Sequence, residues 1–449
     1  MKQQNNLTDQ FISHLVNLNN KGFPEEVKIA AKNCLLDFLG VTLAGAYQLA
    51  STTKTITQNL HAQNGQIPVT GTSHKTDMLS AALLNGMHAH RLELDDGHRY
   101  GMIHPGASVI SGVLPWVFAN KLTGKDLLRG IIMGFEAAIK LAASLQPGMK
   151  DQGYHATGTC GTIGAAMGAA FASGYTEKEL KNTLAAACTS ASGILEVIRD
   201  NSEIKPYNAG QAAVNGLLAA GMGRSGLQGP NDVLGGTHGF MHVMCGGNGK
   251  NIPFDNKPAI LGIYVKPYAA CRHAHAPIEA LLKIRDKHQV DPNEVEAIII
   301  QTYRWAVHLH DHTEISGITS AKMSTPYGVA VALVTGKAGL EEFSEQRIAD
   351  PLVADITNKV KMVEDAELTA LVPGKRAAKV VVKMKNGTTF SEQVDLPKGE
   401  PENPLSRQEL MDKFTDLAIY ARKSKAECER VADVVMHIEK RIEELFTLL

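Results

Sequence analysis

The chain has 449 residues, 44% apolar and 20% charged, a globular composition too long for one ordinary core. Its formal net charge of -1 excludes a basic footprint for nucleic acid or an anionic membrane. Six scattered cysteines with no CxxC pair exclude a zinc knuckle or disulfide framework and point to a reducing compartment. The opening MKQQNNLTDQ lacks the apolar stretch of a secretory signal, and no apolar run reaches membrane-spanning length, so a cytoplasmic protein is expected.

In chain order, Thr8 is placed to cap a first helix with Phe11, Ile12, Leu15 and Leu18 on its apolar face. Pro24 opens a second helix, whose end Gly40 and Gly45 bracket. Helical periodicity continues through 52–60, 77–84, 125–141, 159–172 and 177–187, with small residues in the last two suited to close packing. Strand alternation is absent from this half. After Asn251 the character changes: 296–303 is β-branched, and 377–385 with 388–394 around Asn386-Gly387 reads as a hairpin closed by a type I′ turn. Helices are expected at 275–287, 326–335 and 350–359. Lys398 to Asn403 reads as a linker. Ser406 with Glu409 forms a capping-box pattern before two closing helices. The expected fold is therefore mainly α: a helical domain over 1–264 and 398–449, holding both termini, and a smaller α+β domain over 265–397.

One stretch concentrates the chemistry. HAHRLELDDGHRYGMIHPG (88–106) brings four histidines together with Glu93, Asp95 and Asp96 between two apolar segments. Such density offers acid/base or cation-binding chemistry. His155 precedes a small-residue helix, whose start presents free N–H groups to an anion. Lys205 stands before Pro206 and an Ala/Gly helix, where it can hold a carboxylate or take a proton. Lys266, Arg272, His273 and His275, in the stretch that also holds Cys271, form the densest cationic cluster, at the expected domain seam. Tyr327 opens an apolar helix, a setting more typical of core. His308, His310 and His312 would share one side of an extended segment and invite a metal reading, but no HExxH or other diagnostic spacing is present.

Together these stretches resemble the MmgE/PrpD family of 2-methylcitrate dehydratases, cis-aconitate decarboxylases and iminodisuccinate epimerases. The resemblance runs through CLLDFLGVTLAGA, LLNGMHAHRLELDDGHRYGMIHPGA, GYHATGTCGTIGAA, KPYNAGQAAVNG, VKPYAACRHAHAPIEA and STPYGVAVAL. It implies an all-helical domain with an α+β lid, a homodimer, and catalysis of a small carboxylate substrate without metal or organic cofactor. By the same resemblance Glu93, Asp96, His104, His155, Lys205, Lys266 and Tyr327 are the catalytic set. Beyond the resemblance, His98, Arg99, Arg272, His273 and His275 are expected to bind substrate, Arg272 gripping a carboxylate in a bidentate manner; His98, Arg99 and the Arg272 cation depart from the family pattern. Glu93 stands where the family usually has aspartate, and Gly97 replaces a hydroxyl residue. A hydro-lyase is the leading expectation. An epimerase or isomerase, a decarboxylase, and a metal-dependent hydrolase built on the histidine-rich loops are the alternatives.

Overall fold

A computed structural model describes residues 6–198 and 202–449. The described chain is mainly helical, with one small sheet and one minimal strand pair. It divides into two units. The first comprises the described part of Met1–Ile198 with Ile204–Ile263 and Ser406–Leu449; the second comprises Tyr264–Leu405 and the described part of Arg199–Glu203.

The first unit starts with α1 (Leu7–Lys21), α2 (Glu25–Gln48) and α3 (Ala50–Asn59). Asn6, and not Thr8, caps α1; the Thr8 hydroxyl instead donates to Asp232 at 2.8 Å. Neither Gly40 nor Gly45 ends α2, which runs through both: a Cβ at Gly45 would lie 2.0 Å from the His88 carbonyl oxygen, so the glycine marks a helix crossing. By length and composition α2 is apolar enough to cross a membrane, contrary to expectation. Yet 83% of its most apolar window is buried inside the protein, as in the core helix of a globular unit. Two-residue strands β1 (Ile67–Pro68) and β2 (Lys75–Thr76) pair antiparallel in the half expected to be purely helical.

Asp77 caps α4 (Met78–His90) through two backbone N–H groups. Then follow α5 (Pro105–Ala119), α6 (Gly124–Leu145), the short α7 (Gly148–Asp151), α8 (Ala156–Ala172), α9 (Glu177–Ser190), α10 (Lys205–Gly223) and α11 (Phe240–Cys245). Every residue of α8 is buried. Its small side chains let α6 lie against it almost backbone to backbone. A Cβ at Gly134 would meet the Gly164 oxygen at 2.7 Å, and one at Gly168 the Gly130 oxygen at 2.7 Å.

The second unit holds α12 (His275–His288), β3 (Val295–Thr302), α13 (Arg304–His310), α14 (Ile318–Met323), α15 (Thr325–Thr335), α16 (Glu345–Ile348), α17 (Pro351–Asn358), β4 (Val360–Glu364), α18 (Ala366–Ala370), β5 (Ala378–Met384) and β6 (Thr389–Val394). The sheet order is β4-β3-β5-β6, with β3 parallel to β4 and antiparallel to β5. Ile298 and Ile300 of β3, both fully buried, lie opposite Val382 and Val380. The hairpin forms where expected, but its turn differs. Gly387 N–H bonds to the Met384 carbonyl, and only Gly387 has positive φ (85°), which makes a three-residue loop with glycine in the left-handed position. His308 and His310 lie on helix α13, so the expected extended histidine ladder does not form. Glu400 is buried and ion-paired, so 398–403 is no open linker.

The chain then returns to the first unit as α19 (Arg407–Tyr420), α20 (Lys425–Met436) and α21 (Ile438–Leu448), three helices where two were expected. Ser406 and Glu409 form the anticipated capping box.

Candidate active site

In the first unit, three chain breaks converge: the loop from α4 to α5, the start of α8 and the start of α10. Glu93 sits in the loop with φ 57°, a left-handed conformation costly for a side chain with Cβ. Its carboxylate forms a short ion pair with the Lys205 ammonium. Lys205 is the first residue of α10, where the helix dipole disfavours a cation, so Glu93 offsets an unfavourable placement.

His104 directly precedes Pro105 and α5. Its Nδ1–H donates to the Asp96 carbonyl at 2.6 Å, and because a carbonyl only accepts, the ring's lone pair is on Nε2. The Asp95 carboxylate lies 3.5 Å from the same Nδ1 and accepts from His90 Nδ1 at 2.7 Å. Asp96 turns its side chain to the first turn of α5, accepting the Gly106 N–H at 3.0 Å. Burial, then Asp37 and Asp95, raises the Asp96 carboxyl well above the carboxylate range, so Asp96 favours its protonated form.

His155 immediately precedes α8, with its backbone N–H on the Gly193 carbonyl. Its Nδ1 lies 3.1 Å from Nδ2 of Asn208, and that amide also donates to the Ile194 carbonyl at 3.3 Å. The second contact orients the amide with nitrogen toward the ring, so His155 Nδ1 accepts and its proton is on Nε2. Burial, then His90, Lys205 and His104, holds the imidazole well below its ordinary pKa despite Glu93. His155 is neutral. The His90 ring lies 5.8 Å from that of His155 and 5.1 Å from that of His104. Among the described residues, His90 Nε2 and Asp96 Oδ2 are buried without a hydrogen-bond partner, polar atoms prepared for an occupant.

The structure thus brings Glu93, Asp96, His104, His155 and Lys205 into one cluster. In the same loop, His98 Nδ1 accepts the Gly101 N–H at 3.1 Å, and the Arg99 guanidinium lies over the Tyr100 ring. His90 and Asp95 were part of the ionisable 88–106 stretch but were given no role from the sequence, and Asn208 was not singled out. Asn208 was detectable, being one helical turn from Lys205 and on the same face of α10. His90, Asp95 and His104 could also hold a metal by spacing alone, their ligand atoms lying within 4.8 Å of one another.

In the second unit, Lys266 is 1% exposed. Arg272 does not present an open fork: its Nε and Nη2 donate to Glu400 at 3.2 and 2.6 Å, and Nη1 faces His275 Nδ1 at 2.9 Å. The expected bidentate grip on substrate is replaced by a buried internal pair. His275 is fully buried, its Nε2 on the Ala270 carbonyl, and the Tyr327 hydroxyl donates to the Glu342 carbonyl at 2.7 Å. Each of these two side chains therefore has a structural bond. His273 faces the Tyr303 hydroxyl at 2.6 Å and stacks on His310. The Cys271 thiol is brought down to about 6: burial opposes ionisation, but the interactions with His310, then Lys266, outweigh it.

Comparison with known proteins places these observations in a family context. The profile of the MmgE/PrpD N-terminal domain matches residues 9–253, and that of the MmgE/PrpD C-terminal domain residues 268–438. The chain is 25% identical to a cis-aconitate decarboxylase of Aspergillus terreus, over 92% of this chain and 89% of the relative. It is 24% identical to the cis-aconitate decarboxylase of Mus musculus, over 98% and 91%. It is 25% identical to a 2-methylcitrate dehydratase of Cupriavidus necator, over 86% and 85%.

Proposed function

Because the chain belongs to the MmgE/PrpD family, we propose that it is a cofactor-independent lyase acting on a small di- or tricarboxylate, with dehydration of a 2-methylcitrate-like hydroxy acid as its leading reaction. The observation that supports this reading is the pair of oppositely protonated histidines in the first unit. Dehydration needs a base for the proton α to a carboxylate and an acid for the departing hydroxyl. His104, with its lone pair on Nε2, takes the proton, and Asp95 stabilises the resulting imidazolium. His155, neutral and protonated on Nε2, gives its proton to the hydroxyl, which leaves as water while the C–O bond breaks and the alkene forms. Lys205 holds the carboxylate on which negative charge builds in the enolate-like state, and Glu93 positions that ammonium. Lys266, by resemblance, and His273, seven residues on, are the second unit's carboxylate-binding candidates. The protein is taken to act as a homodimer in the cytoplasm.

A second reading, decarboxylation of a cis-aconitate-like acid, is favoured by the names of the Aspergillus terreus and Mus musculus relatives. There a C–C bond breaks, carbon dioxide leaves, and the carbanion takes its proton from an acid; no base is required at the start.

Purified protein incubated separately with 2-methylcitrate and cis-aconitate, with alkene absorbance and carbon dioxide followed in parallel, tests both readings. Alkene formation without carbon dioxide, lost by roughly a hundredfold or more in His104→Gln, is the expected result. Carbon dioxide release that survives in His104→Gln selects the second reading. Turnover in Lys205→Met close to that of the unmodified protein sinks the site assignment.

A further inference from the structure

The first unit's cluster does not absorb a second concentration of reactive side chains, which lies wholly within the second unit. Cys271 precedes a short 3-10 turn (Arg272–Ala274), His273 lies within it, and His310 ends α13. One ligand atom from each of the three lies within 4.8 Å of the others. Cys271 Sγ and His310 Nε2 are 3.8 Å apart. In a tetrahedral zinc site, bond lengths near 2.3 Å for sulfur and 2.0–2.1 Å for nitrogen give a sulfur–nitrogen edge of about 3.5 Å. The observed spacing is within a few tenths of an ångström of that edge.

The surroundings match as well. The His310 Nδ1–H donates to the Met323 carbonyl at 2.8 Å, which puts the lone pair on the nitrogen facing sulfur. His273 is held through Nδ1 by the Tyr303 hydroxyl at 2.6 Å, and Tyr303 is 1% exposed. Both imidazoles are thus anchored by a buried partner, as metal-binding histidines are, and for His310 that partner lies on the nitrogen away from sulfur. One thiolate and two imidazoles suit a thiophilic ion with filled d orbitals and not a hard cation such as Mg2+.

We infer that Cys271, His273 and His310 form a binding site for a thiophilic d10 metal ion, Zn2+ or Cu+. Binding stands independently of the proposed reaction. Only its consequence, withdrawal of His273 from the substrate, rests on that reading.

The test uses the full chain, stripped with a chelator and kept reduced. Zn2+ is titrated against a chromophoric chelator, and Cu+ anaerobically against bathocuproine disulfonate. One equivalent of one ion, bound at micromolar affinity or better, is expected, and the tighter-bound ion identifies the occupant. Tyr303→Phe should weaken binding roughly tenfold, and Cys271→Ser and His310→Gln by more. The bound ion should also protect Cys271 of the unmodified protein from N-ethylmaleimide, read by peptide mass, a measurement that requires no variant to fold. Failure of the unmodified protein to bind either ion overturns the inference. So does stoichiometric binding that leaves Cys271 as reactive as before, or that survives Cys271→Ser and His310→Gln.

Discussion

Nδ2 of Asn208 lies 3.1 Å from Nδ1 of His155, and this contact decides which nitrogen of the ring carries the proton. Asn208→Ala should therefore lower kcat by roughly ten- to a hundredfold with little change in KM, since the side chain acts through His155, the proposed acid. Asn208→Asp should be worse, because a carboxylate draws the proton to Nδ1 and reverses the tautomer. Steady-state kinetics on both variants checks the order. Equal activity in the two would show that the tautomer does not matter.

Asp96 is held protonated by burial and by two neighbouring carboxylates, Asp37 and Asp95. A carboxyl whose pKa is raised on folding contributes stability at low pH and loses it as pH rises from the ordinary carboxylate range through the raised value. Asp96→Asn keeps the shape and removes the titration. Its urea stability should fall less than that of the unmodified protein as pH rises through this window; parallel curves would exclude a protonated Asp96.

His88 behaves in the opposite sense. It is fully buried against the Thr53 hydroxyl, and burial, with His74 contributing, brings its pKa down to about 3. The neutral ring stabilises the fold above the ordinary histidine pKa, and that contribution is lost as pH falls toward 3. At pH 5 the loss amounts to about 2 kcal/mol. Denaturant melts at neutral pH and at pH 5, compared with His88→Asn, measure it: the substitution should flatten this part of the profile.

Arg272 and Glu400 form a pair with both side chains almost wholly buried. Removing one charge strands the other away from water, so Glu400→Ala should destabilise by about 3–5 kcal/mol. Thermal unfolding reads the effect. A change under about 1 kcal/mol, the range of exposed pairs, would mean that the guanidinium finds another partner.

Local signals survived folding where the deciding forces were themselves local. The Ser406–Glu409 box and the hairpin around Gly387 depend on neighbours a few residues apart. Readings failed where a distant partner intervened. Gly45 looked like a helix end until the His88 carbonyl of a crossing helix occupied the space of its side chain. The segment around Glu400 looked like a linker because nothing nearby announces Arg272. His308 and His310 alternated as in a strand, yet the chain coils there into α13. In the first unit, Glu93, His104, His155 and Lys205 stood out as ionisable residues at breaks between apolar helices. Asp95 and His90 were noticed without a role, and Asn208 was passed over, because what they do is hold other side chains, a relation visible only in three dimensions.

Where α6 and α8 touch, even one extra methyl group has nowhere to go. The ionisable turns are mounted on the ends of rods that cannot slide past one another, so their spacing is inherited from the scaffold. Exchanging residues in the turns leaves that packing intact, whereas a side chain at the glycines beneath does not. A single Gly164→Val would be felt at His155, nine residues away, before it altered anything at the surface.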